Sequence, residues 1–422
     1  MKPGWRQNKL GEVCSFLNRG IAPKYIESGG VCVLNQKCIR DHRVGFDLSR
    51  RHDEVAKKVP KERFIQPGDV LVNSTGTGTL GRVAQLREAP PEQATVDSHV
   101  TIVRPLPGRF YNDFFGYMMI LIEGLIKEAG EGCGGQTELS RTTLAEAFNV
   151  RYPDSIEEQK RIVDFLDDAF ERIDTALANT EKNLANAREL FDNYLNSIFS
   201  ERKGCWKDKK LGDPSLVTII DGDRGKNYPQ KADFSTSGFC LFLNTKNVRP
   251  DGFNFDNLMF VTKEKDEQLR KGKLKRRDVV LTTRGTIGNL ALYDESVPFD
   301  HVRINSGMLI FRPNESAILS EYLFEILRSG IVKNQIALYS TGAAQPQLPI
   351  KILSNFLIPV PTSVEEQRHI VSKIHTLCLT IEELTSTLNR KFCYLNELKQ
   401  SLLQKAFSGE LTTDFNPEAL EH

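Results

Sequence analysis

The residues that most resemble a chemical site are Gly76, Gly78 and Gly81, spelled Gly-Thr-Gly-Thr-Leu-Gly. This GxGxxG spacing lets a tight turn bring backbone amides against a dinucleotide pyrophosphate. That chemistry also needs a helix to open beside the third glycine, because the helix N-terminus holds the phosphate. Gly81 is instead followed by Arg-Val-Ala-Gln-Leu-Arg, a strand-like run, and then by Pro90-Pro91. The segment therefore reads as a turn with small polar side chains, free to lie against a ligand or a DNA backbone.

Other catalytic constellations are thin. Asp154, Glu158 and Lys160 have the residue types of a nuclease site, but the spacing is too short and the opening of a helix already accounts for them. No HExxH, GxSxG or GxxxxGK[ST] motif occurs, nor the Asn-Pro-Pro-aromatic motif of amino-methylating DNA enzymes. The histidines at 42, 52, 99, 301, 369, 375 and 422 form no ligand cluster, and Asp221-Gly-Asp223-Arg-Gly lacks calcium-loop spacing and reads as a turn. No metal site and no cofactor held by this chain are expected.

Basic residues are more suggestive. Lys263 to Arg277 holds eight Lys or Arg, and Arg50 to Arg63 is its equivalent earlier in the chain. Such runs suit phosphate contact, which supplies affinity without sequence information; interleaved acids such as Glu264, Asp266 and Glu267 equally suit a solvated face. Base reading would fall to polar side chains on loops. The candidates are Lys37, Arg40, Ser74, Thr75, Thr77, Gln136 and Thr137 in the first half, and Lys246, Arg249, Arg284, Thr286, Gln345 and Gln347 in the second, with Lys275 and Arg276 of the basic run as candidate phosphate contacts. Arg and Lys suit guanine, Asn and Gln suit adenine.

The elements that must position these residues occur twice, about 208 residues apart. Trp5 to Gly11 returns as Trp206 to Gly212, and Leu34, Asn35, Lys37 and Arg40 return as Leu243, Asn244, Lys246 and Arg249. Asp69-Val70, Gly76-Thr77 and Gly81 return as Asp278-Val279, Gly285-Thr286 and Gly288, with two residues fewer and the GxGxxG spacing lost. Arg104-Pro105 matches Arg312-Pro313, and Gln136 and Leu139 match Gln345 and Leu348. Each copy ends in Pro-x-Ser-x-Glu-Glu-Gln, at Pro153 to Gln159 and Pro361 to Gln367. A period this long marks a duplicated domain rather than a solenoid. Within each copy, short strand patterns (31–35, 69–73 and 100–104; 239–243, 278–282 and 308–312) precede helical ones (114–129; 321–337), an α+β arrangement.

The Ser-x-x-Glu signature opens a helix. In the first copy, positions 163, 166, 170, 173, 177, 180, 184, 187, 191, 194 and 198 are apolar except Thr180; 208 residues on, the same positions are apolar except Thr385 and Lys399. Steps of three and four define a coiled-coil seam. A helix of about 44 residues is roughly 65 Å long, too long for one globular core to cover, so each needs a partner. The expectation is that the two pair antiparallel within the chain, placing the globular copies at opposite ends about a pseudo-twofold axis. Packing of each helix on its own domain, or a homodimer, is the alternative.

Net charge is +1, with 56 basic and 55 acidic residues. Residues 1–154 and 204–362 are net basic by three and five, while 155–203 and 363–422 are net acidic by four and three. Eight scattered cysteines without CxxC or zinc spacing suit free thiols in a reducing cytoplasm. No run approaches the roughly 18 apolar residues of a membrane span.

In the order of these pieces, repeated twice, the chain resembles the specificity subunit of type I restriction-modification systems. The doubled Trp-x4-Leu-Gly opening, the run Arg-Arg-Asp-Val-Val-Leu-Thr-Thr-Arg-Gly-Thr-Ile-Gly at 276 to 288, the Gln-x-x-Leu signatures and both helix starts carry the resemblance. It implies two target recognition domains, expected at 1–154 and 204–362, each reading half of a split, asymmetric site in double-stranded DNA. Spacer helices are expected at 155–203 and 363–410, with a tail at 411–422. It also implies two modification (methyltransferase) subunits binding S-adenosylmethionine and restriction subunits using ATP and magnesium, with no catalysis in this chain. A fused methylase-nuclease would need motifs absent here. A coiled-coil adaptor that binds only proteins would share the helices but have no need of basic globular parts.

Overall fold

The computed structural model describes residues 3–130, 138–202, 205–340 and 347–410. It divides into two compact units, one of residues 1–180 with 391–422, the other of residues 181–390. Each unit is α+β and contains the same parts.

In the first unit a four-stranded antiparallel sheet runs in the order Cys14–Arg19, Val100–Pro105, Val70–Asn73, Val83–Gln85. A second sheet places Val31–Leu34 between Ala94–Val96, in parallel, and Arg50–His52, with Tyr25–Ile26 at the edge. The second unit repeats the first sheet as Val217–Asp221, Met308–Pro313, Asp278–Thr282, Leu290–Tyr293, and the other as Phe260–Val261, Cys240–Leu243, Val302–Ile304. Central strands such as Val70–Asn73 and Asp278–Thr282 are buried along their whole length, as their unbroken apolar runs require. The helical pattern at 114–129 is two helices, Asn112–Leu121 and Glu123–Gly130; that at 321–337 is Ser320–Arg328 and Gly330–Ser340.

The doubled motifs are the joints of this fold. Arg104 forks onto Asp69 with two bonds of 2.7 Å, and Arg312 forks onto Asp278 at 2.8 and 2.6 Å. Both aspartates are fully buried, so the bidentate pair is what lets a carboxylate sit at the start of a central strand. The Trp strand of each copy (Trp5–Lys9; Trp206–Lys210) pairs antiparallel with the strand that runs into the long helix (Asn149–Pro153; Leu357–Pro361). The indoles of Trp5 and Trp206 then donate to Glu158 and Glu366 at 3.2 and 2.7 Å.

The long helices span Ile156–Glu201 and Val364–Ser408. Ser155 and Ser363 cap them, accepting from the amides of Glu158 and Glu366. Gln159 and Gln367 are fully buried beneath the first turn. Gln159 accepts from the Tyr111 amide at 2.8 Å and donates to the Pro153 carbonyl at 2.9 Å; Gln367 does the same with Leu319 and Ala317, both at 2.9 Å.

All twenty-two seam positions are buried or half-buried, whereas most residues between them along the middle of each helix are exposed. In the first unit Ile162 to Ile173 shares a core with Leu403, Ala406 and Phe407 from the end of the second helix. In the second unit the late residues Leu195 and Phe199 share a core with the early residues Ile370 and Ile374. Early residues of one helix meet late residues of the other in both units, so the pairing is antiparallel and within the chain. The charged seam residue Lys399 bonds Asp174 at 2.7 Å and lies 4.9 Å from the Phe170 ring centre, which explains a lysine in that register. Each helix start also packs on its own sheet region, so the two packing modes coexist. Among the described residues no helix is long and apolar enough to cross a membrane.

Replacing Gln159 or Gln367 by Leu is expected to lower unfolding free energy by about 1–3 kcal/mol for each backbone group left unpaired. Urea unfolding of the full chain measures this, and wild-type stability in both variants would contradict the joint.

Candidate nucleic-acid interface

Three loops meet at one end of the paired sheets in each unit, and the same backbone bonds join them. The Ser74 amide donates to the His99 carbonyl, and the Thr283 amide to the Gly307 carbonyl, both at 2.8 Å. The amide of Asp97 reaches the Leu34 carbonyl as that of Asn305 reaches Leu243, tying the sheets together. Leu139 and Leu348, the last residues of the Gln-x-x-Leu signatures, donate to the carbonyls of Ser74 and Thr283. Each rim thus consists of a short turn after the second sheet's central strand, the hairpin tip, the turn before the longest strand, and the signature leucine's neighbour.

The hairpin tip disposes of the dinucleotide pattern. Gly76, Gly78 and Gly81 have φ of 106°, 76° and 79° and lie between two antiparallel strands, with no helix following. Gly285 and Gly288, at 71° and 94°, make the shorter tip of the second unit. Left-handed backbone is what these glycines supply.

Several predicted residues lie together on these rims. Lys37 and Lys246 are exposed on equivalent 3-10 turns whose amides are capped by Asn35 and Asn244. Arg40 and Arg249 are exposed on the small hairpins that follow. Thr77, Arg284, Thr286 and Gln347 are exposed at the tips or beside them. Thr75 is half-buried, bonded by Gln36 at 2.6 Å and by the His99 ring at 2.8 Å. Gln136, Thr137 and Gln345 lie outside the described residues.

Other predicted residues are structural. Ser74 is fully buried and shares its hydroxyl with Thr101, so it presents nothing to a ligand. Arg276 turns inward: its guanidinium donates to the carbonyls of Asp294 and Val297 and to Asp300, and stacks 4.4 Å from the Tyr293 ring centre. Lys275 beside it is exposed.

The basic runs are largely engaged within the fold. Arg51 forks onto Glu92, Arg50 lies over Tyr25, Arg63 donates to Gly20, and Lys57 to Ala22. In the second unit Lys265 pairs with Asp233, Lys273 and the buried Arg303 with Asp266, and Arg277 with Glu315 and Glu321. Burial would raise the Asp266 carboxyl, but hydrogen bonds from Lys273 and Arg303 hold it below its ordinary range. Asp223, read as a turn residue, accepts the amides of Gly225, Arg270 and Lys271. Among the described residues no group of three or more His, Cys, Asp or Glu side chains could hold a metal.

Sequence reasoning missed Gln36 and His99, which complete the first rim. Their signal was positional, since Gln36 adjoins the doubled Asn-x-Lys and His99 immediately precedes the strand Val100–Pro105. Arg276→Ala is expected to cost about 1–3 kcal/mol of stability by orphaning buried carbonyls, while Lys275→Ala stays within about 0.5 kcal/mol. Thermal unfolding separates the two, and equal effects would contradict the inward placement.

Comparison with known proteins gives a consistent match. The family model "Type I restriction modification DNA specificity domain" matches residues 3–186 and again residues 204–391. The EcoBI specificity subunit of Escherichia coli is 29% identical over 244 residues, covering 57% of this chain but 48% of that protein, so the match spans about half its length. The MjaIX specificity subunit of Methanocaldococcus jannaschii is 24% identical over 429 residues, covering 96% and 92% of the two chains. A chain in a solved structure of the type I R-M system has the same fold, with TM-score 0.76 at 18% identity, covering 97% of this chain and 99% of that one. With two matched copies accounting for most of its length, this chain belongs to the type I restriction-modification DNA specificity domain family.

Proposed function

We propose that this chain is the DNA specificity subunit of a type I restriction-modification complex, with each unit reading one half of a bipartite, asymmetric target in double-stranded DNA. The observation that carries this reading is the doubled rim: the same loops are held by the same backbone bonds, with Lys37 and Lys246 exposed at equivalent places, while Thr75 and Glu138 stand where the second unit has Arg284 and Gln347. Identical frames with different side chains suit the reading of two different short sequences. The antiparallel helices serve as the spacer that sets the unspecified gap. Two modification subunits and the restriction subunits supply the chemistry, carrying S-adenosylmethionine and ATP with magnesium, and this chain takes part in the cytoplasm without catalysis of its own.

Lys37 and Lys246 are the same residue exposed at equivalent turns, so phosphate contact, which positions a protein on the duplex without reading sequence, suits them better than the base reading expected from the sequence. Affinity of the complex with its modification subunits for target DNA is expected to fall linearly with salt on logarithmic axes. Lys37→Ala and Lys246→Ala should each reduce the slope by about 1 and weaken all sequences alike. Affinity indifferent to salt would favour an adaptor that contacts only protein.

A further inference from the structure

The two rims differ most in where an arginine stands. Arg104 and Arg312 are equivalent through their aspartate partners; three residues earlier in the same strands, Thr101 pairs with Arg19 and Leu309 with Asp221. One residue past the bonded Ser74 and Thr283 stand Thr75 and Arg284, and one before the bonded Leu139 and Leu348 stand Glu138 and Gln347. Arg19, Thr75 and Glu138 of the first unit thus correspond to Asp221, Arg284 and Gln347 of the second.

The chemical consequence is a difference in available charge. In the first unit Arg19 bonds Glu138 at 2.7 Å and the Leu139 carbonyl at 2.9 Å, so the guanidinium is neutralised and engaged within the fold. In the second unit the arginine has moved to the exposed hairpin tip, where Arg284 donates through Nη2 to the Gln347 side-chain oxygen at 3.1 Å. An amide oxygen orients a guanidinium without cancelling its charge. The acid at the old arginine position, Asp221, lies 3.3 Å from its own cation, Arg224.

A guanidinium oriented by a neutral neighbour on a loop tip suits a planar, two-acceptor partner. The guanine edge, with O6 and N7 in the major groove, is such a partner. Resting on the DNA-reading function proposed above, we infer that Arg284, aligned by Gln347, selects a guanine in the half-site read by the second unit, and that the first half-site is read without an equivalent arginine. Gln347 is the positioning residue of this pair. Its replacement by Glu would give the second rim the neutralised pair that Arg19 and Glu138 form in the first.

The test uses the complex with its modification subunits, carrying wild-type chain, Arg284→Lys, Arg284→Ala or Gln347→Glu. Competition binding is measured on duplexes with each base pair varied in turn, and the methylated motif is sequenced. One specified guanine in one half-site should lose about tenfold to a hundredfold of its discrimination in Arg284→Ala and Gln347→Glu, with the other half-site unchanged. Arg284→Lys keeps the charge and a donor that also suits guanine but loses the fork, so it should retain part of the discrimination, while a loss confined to one base pair in Arg284→Ala separates base reading from phosphate contact. An unchanged motif, or equal loss on all sequences with a smaller salt slope, overturns the inference while leaving the DNA-reading function standing. Absence of sequence-specific binding by the wild-type complex would overturn both.

Discussion

The structure depends on how each long helix is anchored where it begins. A helix start has unpaired amides, and the strand leading into it has carbonyls that turn away from the sheet. In both copies a serine caps the amides, and one buried glutamine of the first turn ties the helix to its surroundings, its side chain clamped between the Tyr111 amide and Pro153 carbonyl in one copy and the Leu319 amide and Ala317 carbonyl in the other. A tryptophan from the first strand then donates to the helix's own glutamate. Sheet, loop and helix are thereby fixed to each other within each unit, and a buried Gln tolerates no drift without orphaning its partners.

From that anchor the rest follows outward. The seam residues leave the anchor in heptad register, so the helix needs an antiparallel partner along its length, and the other copy's helix supplies it. In the opposite direction, the bidentate Asp-Arg pair fixes the longest strand against the central one, and their far ends carry the hairpin tip and the turn that make the rim. The rim loops are therefore tied to the helix through hydrogen-bonded strands. Duplication preserved the buried polar partners and released the rim: Ser74 became Thr283 with its backbone bonds intact, while Thr75 became Arg284.

Much of this was legible from residue order alone. The seam positions, the helix starts, the central strands and the dismissal of the GxGxxG pattern follow from periodicity and from comparing one copy with the other. Partnerships across long sequence distances were not, because no local pattern pairs Trp5 with Glu158 or Gln159 with Tyr111; repetition flagged those residues without saying what they touch. The same blindness affected the rim. Ser74 and Arg276 have binding-type side chains, yet Ser74 faces Thr101 in the core and Arg276 closes the 294–300 loop. Inward or outward placement of a polar residue beside a strand depends on pleat and turn geometry, which composition does not encode. The basic runs illustrate a related point, since apart from Asp266 the acids that pair with them, such as Glu92, Asp233 and Glu315, lie far off in the chain.

In the function proposed above, two units anchored to a shared helix pair have their half-site spacing set by helix length and their base preference set by the rim. Inserting one heptad after Ala185 with a matching heptad in the second long helix preserves the seam register and lengthens both helices by about 10 Å. Sequencing the methylated sites of a host carrying this chain and its partner subunits should then show an unspecified gap about three base pairs longer at about 3.4 Å per base pair, between two unchanged half-sites. An unchanged gap, or altered half-site bases with the gap as before, would contradict it.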